Sequence, residues 1–385
     1  MIKFLGGNQL TLLQNGAEYF PALQAAIDQA QHHVFLETYI YADDDTGQRV
    51  ADALIRAAQR GVATHLLIDG YGAQAYPATA LETLRKAGVS ALVYRPHISP
   101  WHFPRQHLRR LHRKLAVIDQ RYAFVSGINI INDSKTPDMP PQYDYAVRIE
   151  GPLVSDTLRE VQNLHTRVAW AQLRQPRRIQ PTALPAPEIA GQMRAAIVLR
   201  SNLRHRRDIE HAYLRAIGKA KQEIIRAYPY FLPGRRFRKA LVHAAARGVK
   251  VKLLLQGQAE FRVVHYASRA LYKQLLTAGI EIFEYQPSFL HAKVAVIDGC
   301  WATVGSSNID PTSLFLAREA NLVVYDHHFA ATLQASLNAA ITKDARQITA
   351  THFRNGAWWE HILHWLAYSG VRLLAGWVGY GREME

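Results

Sequence analysis

The chain contains the sequence HRKLAVID at residues 112–119 and the sequence HAKVAVID at residues 291–298. Both fit the pattern H-x-K-x-x-x-x-D, and each is followed ten residues after its aspartate by an asparagine, Asn129 or Asn308. Val, Ile and Ala dominate the intervals, which predicts a buried β-strand in each motif. Because residues i and i+2 of a strand lie on the same face, each histidine and its lysine point the same way.

The two motifs lie at matching positions of an internal repeat. A helical pattern ends at Arg60-Gly61-Val62 in the first half and at Arg247-Gly248-Val249 in the second, an offset of 187 residues. Glycine directly after a helical pattern is a common helix stop. The apolar runs at 66–68 and 253–255 then predict matching strands. Helices that alternate with strands in two similar halves predict an α/β architecture built twice.

A proline-rich stretch separates the two halves. Residues 176, 181, 185 and 187 are all proline, a composition typical of a linker. The sequence therefore predicts a first domain at 1–175, a linker at 176–192, a second domain at 193–345 and a C-terminal tail at 346–385.

Composition favours a polyanionic partner. The net charge is +15 and only 20% of the residues are charged. Such a surplus suits nucleic acid or an anionic membrane surface, and composition does not distinguish the two. The single cysteine, Cys300, excludes an internal disulfide and a multi-cysteine metal site. We expect neither a signal peptide nor a transmembrane helix, because no apolar stretch is long enough.

The residue types of the motifs suit phosphoryl chemistry. An imidazole can attack phosphorus or carry a proton, and a neighbouring lysine supplies positive charge for phosphate oxygens. The alternative, ordinary buried strand residues, would leave two lysines in apolar surroundings at a high cost in free energy. The predicted catalytic residues are His112, Lys114, Asp119, His291, Lys293 and Asp298, with the two aspartates expected to brace the turns and the lysines.

These paired motifs resemble the HKD motifs of the phospholipase D superfamily. The stretches at 35–41, 142–148 and 301–311 are also similar to bacterial cardiolipin synthases, of the short type without N-terminal transmembrane segments. The resemblance covers roughly residues 5 to 330. It implies two pseudo-twofold-related α/β domains that meet face to face. Each would have a mixed β-sheet flanked by helices, and one active site would lie at their interface.

The resemblance also implies roles for further residues. An acid downstream of each motif would accept a hydrogen bond from the histidine of the opposite motif. Glu319 would then orient His112, and Asp144 would orient His291. The phosphate-binding residues would be Asn129, Asn308 and Ser306, whereas Ser126-Gly127 stands where Gly-Ser is usual in the first motif.

The implied activity is cardiolipin synthesis through a phosphatidyl-histidine intermediate, with His112 as nucleophile and a protonated His291 as acid. The acceptor would be phosphatidylglycerol, and the donor phosphatidylglycerol or phosphatidylethanolamine. No cofactor, no metal and no obligate nucleic acid are expected, and the oligomeric state stays open. The expected location is the cytoplasmic side of the bacterial inner membrane, as a peripheral protein. The alternatives are a phosphodiesterase on the same site, either a lipid hydrolase or a nuclease, and a non-catalytic lipid-binding protein.

Two segments keep two interpretations each. In the tail, Trp365, Leu366 and Leu373 fit one helical face, and His364, Tyr368 and Arg372 fit another. This pattern predicts an interfacial helix on a membrane, or a helix docked on the protein's own core. The basic and aromatic segment from Pro96 to Arg110 is either a surface loop or a lid over the substrate.

Overall fold

The computed structural model describes residues 2–96, 110–132, 139–173, 187–201, 205–259, 262–308, 317–349 and 358–375. Most of the predicted lid, at 97–109, and most of the predicted linker, at 174–186, therefore lie outside the described residues.

The first half contains seven strands and four helices among the described residues. They are β1 (Leu5–Gln14), α1 (Asn15–Asp28), β2 (His33–Thr38), α2 (Asp45–Gln59), β3 (Ala63–Asp69), α3 (Ala78–Lys86), β4 (Ser90–Tyr94), β5 (Lys114–Ile118), β6 (Tyr122–Ser126), β7 (Tyr145–Glu150) and α4 (Leu153–Ala171).

The second half repeats this order and adds one strand and two helices among the described residues. Its described elements are β8 (Met193–Arg200), α5 (Asp208–Lys219), β9 (Glu223–Tyr228), α6 (Arg235–Ala246), β10 (Lys250–Gln256), α7 (Arg262–Arg269), α8 (Tyr272–Thr277), β11 (Glu281–Tyr285), β12 (Val294–Ile297), β13 (Trp301–Gly305), β14 (Glu319–Tyr325), α9 (His327–Asp344), β15 (Ala345–Ile348) and α10 (Trp358–Ala375).

Each half forms a mixed sheet with the same strand order. The first reads β1-β7-β6-β5-β2-β3-β4, and the second reads β8-β14-β13-β12-β9-β10-β11-β15. In both, three parallel strands adjoin an antiparallel set that contains the HKD strand, β5 or β12. The sheets also join edge to edge, because β1 pairs antiparallel with β8. The predicted α/β architecture of two similar units is confirmed.

An apolar layer between the two sheets holds the halves together. It contains Leu115 and Val117 of β5, Val294 and Val296 of β12, and the inward faces of α4 and α9. Helix α4 also contacts β8 of the other half, and α9 contacts β1. The remaining helices cover the outer faces with separate apolar clusters. The inner layer thus fixes the position of one HKD strand relative to the other.

The halves differ in charge behind the two motifs. Arg113 forms a buried ion pair with Glu37 of the neighbouring strand β2. Ala292 and Ala227 occupy the matching positions of the second half, since Glu37 lies across from Leu115 and Ala227 lies across from Val294. The pseudo-twofold symmetry of the backbone is therefore not a symmetry of the charges.

The predicted tail boundary at 346 is wrong. Strand β15 spans Ala345–Ile348 and pairs antiparallel with β11, so these residues complete the second sheet. The sequence Ala-Arg-Gln-Ile shows no alternation of polar and apolar residues, so it gave no strand signal, and backbone pairing with β11 orders it.

Helix α10 packs on α7 through its polar face. His364 is 5% exposed and its ring lies 5.6 Å from the ring of Tyr266. Trp365 is 64% exposed and Leu373 is 75% exposed on the other face. The helix therefore docks on the protein, as one of the two interpretations predicts. Its apolar face stays exposed, so the other interpretation, contact with a membrane, stays open. Within the described residues, no helix is long and apolar enough to cross a membrane.

Candidate active site

Backbone hydrogen bonds between the halves position the two histidines. The N–H of His112 donates to the carbonyl of Arg318 at 2.9 Å, and the N–H of Arg318 donates to the carbonyl of Arg110 at 2.7 Å. In the other half, the N–H of His291 donates to the carbonyl of Tyr143 at 2.9 Å. The hydrogen bonds from His112 and His291 thus each join a histidine to the residue just before an acid of the opposite half. The side chains of the histidine and the acid therefore lie next to each other.

Each histidine contacts a carboxylate from the opposite half. His112 Nδ1 lies 3.0 Å from Glu319 Oε2, and His291 Nδ1 lies 2.6 Å from Asp144 Oδ2. Both acids are buried. A carboxylate at Nδ1 fixes the tautomer and leaves Nε2 available for attack or proton transfer. The observed pairs are those that the family resemblance implied.

Two buried lysines lie beside the histidines. Lys114 Nζ donates to the carbonyl of His112 at 2.9 Å, and Lys293 Nζ donates to the carbonyl of His291. Lys293 Nζ also lies 2.9 Å from His291 Nδ1. One ring nitrogen cannot accept from Lys293 and donate to Asp144 at once. We assign the proton on Nδ1 to the shorter contact with the carboxylate.

Burial lowers the proton affinity of the cationic groups. Desolvation, followed by the charge of Lys293, lowers the pKa of Lys114 to about 7. Desolvation and Lys293 likewise lower the pKa of His291 to about 4, and desolvation lowers the pKa of His112. Burial alone would raise the pKa of Glu319, but His112 and other nearby cations hold it below its usual value. The site therefore favours an incoming anion that compensates its buried lysines.

The two predicted asparagines follow the strands that pair with β5 and β12. Asn129 is buried, and its Oδ1 accepts a hydrogen bond from the N–H of Ile40 at 3.3 Å, which orients its amide nitrogen. Asn308 Oδ1 is buried without a hydrogen-bond partner among the described residues. Ser126, the last residue of β6, lies across from Lys114. The chain that follows β6, with Asn129, therefore begins at the same end of β5 as His112.

The hydroxyl of Ser306 contacts a carboxylate of the site, whereas the resemblance implied a contact with phosphate. Its hydroxyl donates to Glu319 Oε2 at 2.5 Å and accepts from the N–H of Ala320 at 3.1 Å, and its side chain is fully buried. The expectation of a phosphate-binding serine is therefore corrected: Ser306 holds the carboxylate that contacts His112.

Gly127 occupies the matching position of the first motif. A Cβ atom there would lie 2.4 Å from Asp144 Oδ1, too close for any side chain. The N–H of Tyr145 donates to the same oxygen at 2.8 Å. The Ser-Gly order at 126–127 thus leaves space for the carboxylate of Asp144. At the matching position of the second motif, the hydroxyl of Ser306 donates to Glu319 instead.

The aspartates of the motifs lie away from the lysines. Asp119 follows the far end of β5, roughly 16 Å along an extended strand from Lys114. Its carboxylate accepts backbone N–H groups of residues 31, 32 and 33, at 2.6 to 2.9 Å. Asp298 does the same for residues 221, 222 and 223. Both aspartates hold the turn before a neighbouring strand, in agreement with the expectation that they brace turns. Their grouping with the catalytic residues and the expectation that they also brace the lysines are corrected.

Sequence reasoning missed a second pair of positioning residues. Asp69 Oδ2 accepts the N–H of Leu111 at 2.7 Å, and Gln256 Oε1 accepts the N–H of Leu290 at 2.6 Å. Each therefore holds the residue just before a histidine. The signal was present in the repeat, because both residues end matching strands at the offset of 187.

Comparison with known proteins identifies the family. A family model described as "Cardiolipin synthase, PLD-like domain" matches residues 23–164 and 213–341. The chain belongs to this family. It is 40% identical to cardiolipin synthase B of Escherichia coli (strain K12) over 378 residues, which is 97% of this chain and 90% of that protein. It is 32% identical to cardiolipin synthase A of Pseudomonas fluorescens over 373 residues, 96% of this chain and 75% of that one.

Solved structures share the fold at low sequence identity. The phosphatidylserine synthase of Haemophilus influenzae aligns with a TM-score of 0.71 at 13% identity, covering 99% of this chain and 97% of that one. The polyphosphate kinase of Porphyromonas gingivalis aligns with a TM-score of 0.58 at 14% identity, covering 89% of this chain and 49% of that one. At these identities the likeness supports the two-domain fold.

Substitution of Gly127 by alanine tests the space reserved for Asp144. The methyl group displaces the carboxylate from His291, so we expect phosphatidyl transfer to fall at least about 100-fold, as for loss of other precisely placed catalytic partners. The matched control is Gly218→Ala on α5, where an added Cβ meets nothing within 4 Å. Equal transfer rates of both variants, in proteins with native circular dichroism, would contradict the assignment.

The lowered pKa of Lys114 predicts a pH dependence of substrate binding. As pH rises through about 7, the free enzyme loses a positive charge that a phosphodiester anion needs, so KM should rise. Lys114→Arg keeps its charge and should flatten this rise. The measurement is KM for phosphatidylglycerol between about pH 6 and pH 9. A pH-independent KM in the unsubstituted enzyme, or the same rise in Lys114→Arg, would contradict the prediction.

Proposed function

We propose that the chain is a cardiolipin synthase that transfers a phosphatidyl group from one phospholipid to a hydroxyl of phosphatidylglycerol. One observation carries the proposal: two histidines, each held by a carboxylate from the opposite half, lie with two buried lysines in a single site. The family and the 40% identity to cardiolipin synthase B of Escherichia coli support the substrate class. Phosphatidylglycerol or phosphatidylethanolamine serves as donor.

The first step of the proposed reaction forms a covalent intermediate. Nε2 of His112 attacks the phosphorus of the donor while Glu319 stabilises the developing charge on the ring. The bond between phosphorus and the headgroup oxygen breaks, and His291 gives a proton to the leaving alcohol. The product is a phosphatidyl group bonded to His112.

Substrate binding supplies the proton that His291 needs. A pKa near 4 leaves His291 neutral in the empty site, so the proton that it gives to the leaving alcohol must arrive with the substrate. The phosphodiester anion offsets the lysine charges that, with burial, lower this pKa. His291 therefore gains its proton together with the substrate, and Asp144 stabilises the charged ring.

The second step transfers the phosphatidyl group to the acceptor. A hydroxyl of phosphatidylglycerol gives its proton to His291 and attacks phosphorus, and the bond from phosphorus to His112 breaks. Lys114 and Lys293 stabilise the phosphate oxygens in both steps, with Asn129 and Asn308 as amide donors. The site residues of the chain account for each proton moved.

The exposed face of α10 is the proposed membrane contact. Leu363, Trp365, Leu366 and Leu373 are all more than a third exposed on this helix, and Val263 of α7 is 59% exposed beside it. Tryptophan and aliphatic side chains on one face suit the boundary between headgroups and acyl chains. We propose peripheral association with the cytoplasmic side of the bacterial inner membrane.

The products of the purified protein test the proposed function. Phosphatidylglycerol vesicles, with and without phosphatidylethanolamine, should yield cardiolipin by mass spectrometry without any activated nucleotide. His112→Ala and His291→Ala should each lose at least about 1,000-fold in rate, because each removes a group that both steps require. His243→Ala, an exposed position on α6, is the matched control.

Three outcomes would contradict this proposal. Phosphatidic acid as the only product indicates a lipid hydrolase, and cleavage of DNA without lipid turnover indicates a nuclease. Full activity in both histidine variants excludes the covalent mechanism.

Substitution on the apolar face of α10 tests the membrane contact. Trp365→Ser combined with Leu373→Ser should weaken sedimentation with phosphatidylglycerol vesicles by about tenfold, because two large apolar side chains no longer leave water. Trp170→Ser on α4 removes a tryptophan of similar exposure, 68%, from another surface and should leave sedimentation unchanged. Unchanged sedimentation of the double variant would exclude this face.

A further inference from the structure

A cleft lies between helix α4, the end of β8 and the start of α5. Its volume is about 750 Å³, within the usual range for small-molecule sites. Ile2, Ile197 and Leu199 contribute apolar wall, and Arg113, Arg200 and Arg318 bring three guanidinium groups to it. Both the size and the mixed lining suit a phosphate ester with an organic part.

The lining is positively charged. Six lysine and arginine side chains and three carboxylates line it among the described residues, which gives a net charge of +3. Two of the carboxylates are paired locally, Asp156 with Arg159 and Asp208 with His205. Arg113 is paired with Glu37, and three of the remaining cations have no ion pair among the described residues. These are Lys3, Arg167 and Arg318.

The cleft is separate from the catalytic site but adjacent to it. Arg113 follows His112, and Arg318 precedes Glu319, so the alternation of a strand directs these arginines to the opposite face from the catalytic pair. Arg200 connects the two sides, because it lies directly across from Glu319 in the pairing of β8 with β14.

The second half has no counterpart of this cleft charge. Ala292 of the second motif occupies the position that Arg113 has in the first motif. The residue before Asp144 is Tyr143, whereas the residue before Glu319 is Arg318. Behind His291 the hydroxyls of Tyr143 and Tyr145 form a closed network with Ser336. The pseudo-twofold fold therefore does not require the arginines. Glu37 is the partner of Arg113, whereas Arg167 and Arg318 have no ion pair among the described residues, and a ligand would supply the missing anion.

We propose that this basic cleft is a second anion-binding site, which holds a phosphate-bearing ligand behind the catalytic pair His112–Glu319. Guanidinium groups bind phosphate oxygens through paired N–H donors, and Arg167 and Arg318 bring such groups to the cleft. The ligand is a phosphate ester, either the headgroup of an anionic phospholipid or a free glycerophosphate.

Occupancy of the cleft would act on the catalytic pair through Arg200. Burial raises the pKa of Glu319, and the charge of Arg200 is one of the influences that lower it, after the contact with His112. A bound anion offsets that charge and makes the Glu319 carboxylate a stronger partner for an imidazolium.

Phosphate titration by calorimetry tests the site without any lipid turnover. The background is Lys114→Met with Lys293→Met, which removes the catalytic phosphate site. We expect inorganic phosphate and glycerol 3-phosphate still to bind this protein. Adding Arg167→Gln and Arg318→Gln should weaken the binding at least tenfold, since a charge-assisted hydrogen bond contributes about 1.5–3 kcal/mol.

Matched variants distinguish phosphate binding in the cleft from the effect of removing any positive charge from the protein. Arg215→Gln, exposed on α5 outside the cleft, should leave phosphate affinity unchanged. Arg159→Gln with Arg167→Gln changes only exposed positions of α4 and serves if the Arg318 variant does not fold. Loss of phosphate binding in the lysine background, or equal affinity with and without the cleft substitutions, overturns the proposal.

A short-chain lipid distinguishes the two ligand sources. Monomeric dihexanoylphosphatidylglycerol should bind the lysine background more tightly than glycerol 3-phosphate if the cleft holds a lipid headgroup, because its chains reach Ile197 and Leu199. Weaker binding of the lipid assigns the cleft to a free phosphate ester. Binding of either ligand that the cleft substitutions do not change counts against the site.

Discussion

The contact between a histidine of one half and a carboxylate of the other is the constraint on which the rest of the structure depends. Neither half can complete a histidine–carboxylate pair alone, since Glu319 belongs to the second half and Asp144 to the first. The apolar layer around α4 and α9 and the β1–β8 edge both serve this constraint, because they fix one half against the other. The backbone bridges at Arg318 and Tyr143 refine the alignment to hydrogen-bond length.

The packing of the two halves also leaves the positive charges of the site without enough compensating negative charge. Packing the halves together removes Lys114 and Lys293 from water, and burial lowers the pKa of Lys114. In the proposed reaction, the negative charge of the phosphodiester offsets the lysine charges, which couples substrate binding to the protonation of His291. Two lysines fixed at one site provide positive charge for developing phosphate oxygens.

Duplication produced a symmetric backbone with unequal surroundings. Ser306 donates a hydroxyl to Glu319, whereas Gly127 only clears space for Asp144. Arg113 and Glu37 fill the region behind His112 with charge, and Ala292 with Ala227 leaves the matching region apolar. Unequal surroundings allow two equivalent histidines to take different roles, as nucleophile and as proton carrier.

The sequence by itself determined the repeat, the strands that carry the motifs, the α/β class and the cross-pairing implied by the family. These features depend on local apolar patterns and on motif spacing, which a linear chain displays directly. Only the tertiary structure decided the places of Asp119, which accepts backbone N–H groups at a turn, and of Ser306, which donates to Glu319. It also added Asp69 and Gln256, whose partners are remote in sequence. A side chain's role depends on which groups surround it, and those neighbours are fixed only when both halves close.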